Sequence, residues 1–141
     1  MRANILIVDD SPTMRRMIKK TLSMCGLNIG ELFEAANGIE ALAAMSQHTV
    51  AVALVDINMP VMNGVQLLIR MHADERIRDI PVIIASTEGS ETRIRELMDK
   101  GARGYVRKPF HPEQIRDVLL PFVGAAEKAE MAVDDGDDMA F

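Results

Sequence analysis

One cysteine, Cys25, stands in a chain of 141 residues, which excludes an internal disulfide and any cysteine-rich metal site. Its neighbours are apolar, so it is expected to be a small buried hydrophobe. Aromatics are scarce too: four Phe, one Tyr and no Trp make up 4% of the chain, against 48% hydrophobic residues. A core of that composition must be aliphatic and rich in methionine. Met14, Met17 and Met24, beside Ile18, Leu22 and Cys25, are expected to share a helix and fill it. No apolar run approaches the ~20 residues of a spanning helix, and the run after Arg2 meets Asp9 and Asp10 too soon for a signal peptide. No membrane insertion and cytoplasmic residence are therefore expected. A glycine-rich loop after the first apolar run is also lacking, which weighs against a nucleotide or flavin phosphate cradle. His48, His72 and His111 have no ligand spacing and are expected at surface or cap positions.

Charge of one sign is missing from most of the chain. Residues 1–123 carry fifteen acids and fifteen bases, whereas 124–141 carry Glu127, Glu130, Asp134, Asp135, Asp137 and Asp138 against Lys128 alone. The whole net charge of −5 thus falls on the last segment. A neutral body with an acidic tail argues against direct nucleic-acid binding. The length suits one domain, expected over 1–123. Residues 124–141 are expected to be an acidic, mobile tail, either solvated or docking on a partner or on its own domain. Pro121 and Gly124 are expected to interrupt the last helix before it.

Five strand-like runs are present: Asn4–Asp9, Glu31–Ala35, Val50–Asp56, Val82–Ser86 and Gly104–Arg107. The first, third and fourth are nearly continuous Ile, Val, Leu and Ala, as expected of central parallel strands covered on both faces. The second and fifth are mixed and suit the flanks. Helix-like runs lie between them. Ser11-Pro12 reads as an N-cap with proline at the first helical position, and Asn37 with Glu40 as a capping box. His111-Pro112-Glu113 opens the last helix in similar style, while Gly26 and Gly101 read as left-handed stops. Strict alternation predicts an α/β doubly wound, five-stranded parallel sheet with five helices. The order 2-1-3-4-5 is taken from the common pattern of such sheets rather than from these residues. It puts ligands beyond the carboxyl ends, near the first and third strands.

Asp9, Asp10 and Asp56 end those two strands, and Lys108 follows the fifth. Three converging acids repel one another unless a divalent cation and a lysine offset the charge. A metal-assisted site for an incoming anion is predicted, with a phosphoryl group the obvious candidate. Taken singly each element is weak, since Asp-Asp turns and Lys-Pro dipeptides are common. The ordered set VDDS, VDINMPVMNG, IIAST and GYVRKPF, each closing a strand, is far more specific. Asp56-Ile57-Asn58 lacks the second aspartate of haloacid-dehalogenase phosphatases, which weighs against a general phosphatase. The Lys108–Pro109 bond is predicted to be cis.

Over residues 3–123 these motifs resemble the receiver domains of two-component response regulators, most closely the CheY-like chemotaxis type, with their flavodoxin-like fold. The resemblance implies that Asp56 accepts a phosphoryl group from a phosphohistidine on a CheA-like sensor kinase. It implies Mg²⁺ bound directly by Asp10, Asp56 and the backbone carbonyl of Asn58, with Asp9 acting largely through bound water. It implies further that Ser86 and Lys108 contact the phosphoryl oxygens and that Tyr105 reports the switch. Asn58 and Glu88 would tune dephosphorylation by admitting and orienting water. The output face would include Gly89, Ile94, Tyr105, Arg107 and Val118. Physical chemistry agrees with these roles: a carboxylate attacks phosphorus when equatorial charge is stabilised. Mg²⁺ prefers oxygen ligands and keeps several waters. Thr87 departs from the small residue usual at its position, and either narrows access for small donors or supplies a redundant hydroxyl.

The leading expectation is a stand-alone receiver, not an enzyme beyond its own phosphorylation and dephosphorylation, whose output is a change in partner affinity. The partner would be a flagellar motor switch protein or a phosphatase. A monomer is expected, with activation-linked dimerisation left open. Two alternatives stay open: a phosphotransfer intermediate or phosphate sink, and a constitutive adaptor acting through its acidic tail.

Overall fold

The computed structural model describes residues 2–57, 59, 61–87 and 91–125. Five strands alternate with five helices: β1 Ala3–Val8, α1 Pro12–Leu22, β2 Ile29–Ala35, α2 Gly38–Gln47, β3 Val52–Val55, α3 Gly64–His72, β4 Val82–Ser86, α4 Glu91–Asp99, β5 Gly104–Arg107 and α5 Pro112–Val123. All strand pairs are parallel and the order is β2-β1-β3-β4-β5. This is the doubly wound sheet the alternation predicts, with β1 and β3 adjacent at its centre. The β3 ladder is shorter than the apolar run, yet the amides of Ala51 and Asp56 still donate to the carbonyls of Asn4 and Val8 at 2.9 Å.

The two-residue period sorts side chains onto two faces. Ile5, Ile7, Val52, Leu54, Ile83, Ala85 and Val106 pack against Ile18 and Leu22 of α1 and Ile115, Leu119 and Val123 of α5. Leu6, Val8, Ala53, Val55, Val82 and Ile84 pack against Ala41 and Met45 of α2, Leu67, Leu68 and Met71 of α3, and Leu97 of α4. Strands apolar at every position are what two covered faces require.

Helix ends follow capping chemistry. Ser11 Oγ accepts from the Met14 amide at 3.1 Å, and Asn37 Oδ1 from the Glu40 amide at 2.9 Å. Glu40 in turn accepts from the Ala36 amide at 2.8 Å, one residue ahead of the usual capping-box partner. Gln114 Oε1 accepts from the His111 amide at 2.8 Å. After α4, Gly101 at φ 111° closes a Schellman turn: the Ala102 amide reaches Leu97 O and the Gly101 amide reaches Met98 O.

Three expectations are corrected. Helix α1 ends at Leu22, so Met24 and Cys25 lie beyond it. Met17 and Met24 are 54% and 59% exposed, because the buried face of α1 is Ile18 and Leu22 and Met17 is rotated off it; only Met14 packs partly inward. The third concerns Pro121, which lies inside α5 rather than ending it. Near a helix end the missing N–H orphans one carbonyl that water can reach. The helix stops at Gly124, φ 83°, whose carbonyl accepts from the Asn28 amide at 2.9 Å, and Ala125 bridges Leu27. Cys25 is buried as expected, and burial pushes its thiol pKa up. His48 stacks on Phe33 with ring centroids 4.1 Å apart. No described helix is long and apolar enough to cross a membrane.

Candidate functional site

Adjacent β1 and β3 carry Asp9 and Asp56 one residue past their last paired positions. Both continue the alternation of the face covered by α1 and α5, as does Lys108 beyond Val106. The topology therefore aims two carboxylates and one ammonium at one spot above the sheet. Asp10, in the turn into α1, completes the group: one carboxylate oxygen each from Asp9, Asp10 and Asp56 lies within 4.8 Å of the others.

Burial grades the group. Asp9 is 2% exposed and Lys108 7%, Asp56 is intermediate and Asp10 is exposed. Lys108 Nζ lies 2.7 Å from Asp9 Oδ2 and 3.7 Å from Asp56 Oδ2. Asp9 Oδ1 accepts from the Ser11 amide at 3.0 Å. Both oxygens of Asp9 are thus engaged, whereas Asp10 opens to solvent. The Lys108–Pro109 peptide is cis, as predicted, and the Lys108 amide donates to Ser86 O at 2.9 Å.

Asp9, Asp10, Asp56 and Lys108, anticipated from strand ends, are brought together. Ser86 is fully buried at the end of β4 and Thr87 beside it is exposed. Ser86 continues the alternation of the opposite face, with Ile84. Tyr105 pairs with Ile84 across β4–β5 and is half-buried against that face's core. Ile94 and Val118 are half-buried and Arg107 is exposed; Val118 packs on the α5 side, apart from Tyr105. Asn58, Glu88, Gly89 and the tail from residue 126 lie outside the described residues.

Sequence reasoning missed Arg15 and Glu34. Arg15 Nη1 donates to the backbone carbonyl of Asp9 and its Nε to Glu34 Oε1 at 2.8 Å. Lys19 Nζ reaches Glu34 Oε2 at 3.0 Å. Hydrogen bonds from Arg15 and then Lys19 hold the Glu34 carboxyl below its usual range. The one sequence signal was weak: Arg15 and Lys19 are four apart and share a helix face. Also unforeseen is Val61, at φ 71° in the loop between β3 and α3, a conformation that disfavours a β-branched residue. Gly64, at the start of α3, is favoured by packing, since a Cβ there would lie 3.2 Å from Ile57 Cα and 3.3 Å from Asp56 O, tighter than ordinary van der Waals contact.

The donor set suits a hard dication. Three carboxylates supply oxygen, only Lys108 among the described cations sits within 4 Å of them, and the excess negative charge is what Mg²⁺ would offset.

Comparison with known proteins gives one consistent result. The family model for the response regulator receiver domain matches residues 5–120. The chemotaxis protein CheY1 of Helicobacter pylori is 38% identical over 121 residues, covering 85% of this chain and 96% of that protein. CheY4 of Vibrio cholerae superposes with a TM-score of 0.77 at 33% identity, covering 87% of this chain and all of that one. A CheX–CheY–BeF₃–Mg²⁺ complex from Borrelia burgdorferi contains a similar chain, with a TM-score of 0.76 and 25% identity over 84% of this chain and 87% of that one.

Proposed function

This chain belongs to the response regulator receiver domain family, and on that footing we propose that it is a chemotaxis response regulator phosphorylated on Asp56. The observation that carries the reading is the convergence of Asp9, Asp10 and Asp56 within 4.8 Å beside a buried lysine. CheY-like receivers are signalling proteins, and the reactions assigned here are the protein's own phosphorylation and dephosphorylation.

In the proposed reaction an oxygen of Asp56 attacks the phosphorus of a phosphohistidine on a CheA-like kinase. The O–P bond forms as the N–P bond breaks, and the departing imidazole takes a proton from solvent. Lys108, 3.7 Å from Asp56, holds positive charge where equatorial phosphoryl oxygens develop charge. Asp9 keeps that ammonium in place through its 2.7 Å contact. Asp10, Asp56 and the carbonyl of Asn58 would hold Mg²⁺ directly, and the double engagement of Asp9 supports its acting through bound water. A cation held there would supply positive charge against the phosphoryl oxygens; the Borrelia complex, which contains Mg²⁺ and BeF₃, lends support.

The Ser86 hydroxyl donates to the phosphoryl group in the modified state, and its loop moves inward with Tyr105. Asn58 and Glu88 tune the lifetime of the aspartyl phosphate. An output surface drawn from Gly89, Ile94, Tyr105 and Arg107, with Val118 on the α5 side, then engages a motor switch protein, or a phosphatase such as the CheX of that complex. The domain is assigned to residues 1–123, with 124–141 as an appended acidic segment and the cytoplasm as its place.

Radiolabelled phosphotransfer from a CheA-like kinase, with Mg²⁺, tests the reading. Label is expected on the wild type and none on Asp56→Asn; equal labelling of both overturns it. Pull-down of a motor switch protein by the full chain, with and without beryllofluoride, tests the output. A switch gains the partner on activation, a phosphate sink gains none, and an adaptor working through its tail ignores activation.

A further inference from the structure

The backbone and side chain of Asp9 are held from four directions. Its amide donates to Ala35 O at 3.0 Å, its Oδ1 accepts from the Ser11 amide at 3.0 Å, and its Oδ2 accepts from Lys108 Nζ at 2.7 Å. The fourth hold is on its carbonyl, from Arg15 Nη1. The first three belong to the sheet, the turn and the site itself. Only the fourth reaches outside, because the same guanidinium donates through Nε to Glu34 at 2.8 Å.

The Asp9 carbonyl is one end of the Asp9–Asp10 peptide. A peptide is planar, so anchoring its oxygen fixes the plane from which the Asp10 Cα departs. Asp10 is the exposed member of the acidic group, and its carboxylate makes no hydrogen bond among the described residues. Its aim therefore depends on the backbone beneath it. A guanidinium is a rigid planar fork, so fixing Nε on Glu34 directs Nη1 at the Asp9 carbonyl. Glu34 pairs with Ile7 in the β1–β2 ladder, and Lys19 Nζ holds its second oxygen at 3.0 Å. The Arg15 side chain is only 15% exposed.

We propose that Arg15 is a positioning residue for the Asp10 ligand, and that Glu34 acts on the metal site only through Arg15. The proposal rests on the Mg²⁺ reading above. It makes a charged pair at the α1–β2 edge, outside the acidic group, a determinant of metal affinity. Groups that orient ligands without touching the metal typically change affinity by about 10- to 100-fold when removed. The low end applies here, since Mg²⁺ keeps several waters and has other ligands.

The experiment is calorimetric titration of the full chain with MgCl₂. Arg15→Met keeps the buried stem and removes both hydrogen bonds, and is expected to weaken Mg²⁺ binding about 10-fold. Glu34→Gln should weaken it less in the same direction, and the double variant should match Arg15→Met alone. Lys19→Met, which contacts Glu34 but not Asp9, should bind like the wild type. Affinity of Arg15→Met within about twofold of wild type overturns the proposal, as does a Glu34→Gln effect that persists undiminished in the double variant.

A second readout needs no metal. Exchange of the Ser11 amide, bonded to Asp9 Oδ1, in metal-free Glu34→Gln should speed up about severalfold relative to core amides such as Ala85, and unchanged exchange overturns the proposal even if Arg15→Met does not fold. A wild type that binds no Mg²⁺ strikes the functional reading instead, and the exchange measurement then decides the fate of Arg15 alone.

Discussion

The two faces of the sheet meet at the same site but are built differently. On the α1 and α5 side, Asp9, Asp56 and Lys108 form a group fixed by short contacts of 2.7 and 3.7 Å. On the α2 to α4 side, Ser86 is fully buried and Tyr105 only half so, next to an exposed Thr87. The first face holds its charges in place through those contacts, which would lower reorganisation during the proposed transfer. On the second face the aromatic Tyr105 is half-buried against the core beneath α2 to α4. On the proposed reading chemistry and readout fall on opposite layers, and Ser86 would be the side chain of the second layer that senses the first. A receiver needs that separation: a site rigid enough to react and a neighbour loose enough to switch.

The sharpest way to break the contrast is Lys108→Met. Lys108 and Asp9 side chains are 6% and 4% exposed, and removing one partner of so buried a pair typically costs about 3–5 kcal/mol. Urea unfolding at neutral pH without metal should show a loss of that size. Added Mg²⁺ should restore part of it, because a cation then faces carboxylates that lack their internal one. A loss under about 1 kcal/mol would mean that Asp9 relaxes into water and that the α1 and α5 face is not rigid.

Ser86→Ala addresses the other layer. Stability should fall by about 0.5–1.5 kcal/mol, the size of one hydroxyl hydrogen bond, and Mg²⁺ affinity should stay near wild type. The gain in partner binding on beryllofluoride addition should shrink by about 10- to 150-fold if the proposed charge-assisted bond to the activated group carries the coupling. An undiminished gain would place the coupling elsewhere on the second face.

Which features were legible in the sequence follows from the same geometry. Asp9, Asp56 and Lys108 could be read because a period of two carries on past a strand's last paired residue, and because parallel order sets which ends are neighbours. That order was borrowed from the fold class, and the structure bears it out. Helix rotation was harder. Met17 sits one position from buried Ile18, yet that 100° step carries it into solvent. Pro121 has the chemistry of a break, but one lost amide near a helix end is tolerable. Arg15 and Glu34 were illegible because their meeting depends on how far α1 is rotated over the edge of β2, and no local pattern encodes that. Val61 was missed for the opposite reason: its residue type argues against the left-handed backbone it adopts, so a reading from composition points away from it.

The smallest expected effect sharpens the comparison at its border, where α1 meets β2. Glu34 has its carboxyl pKa depressed chiefly by the hydrogen bond from Arg15, then by that from Lys19. A depressed folded value means that the unfolded chain binds its proton first as pH falls. The stabilisation is therefore complete well above the ordinary glutamate value of about 4.3 and disappears as pH drops through the lower folded value. Glu34 is 37% exposed, so solvent screening limits the contribution to about a few tenths of a kcal/mol. Glu34→Gln should accordingly be slightly less stable than the wild type near neutral pH. The two unfolding curves should converge in acid, and should also draw closer in high salt, where exposed pairs are screened. A difference that persists unchanged below the folded value would show that Glu34 contributes through packing rather than charge, and that this edge of the rigid face is held by shape.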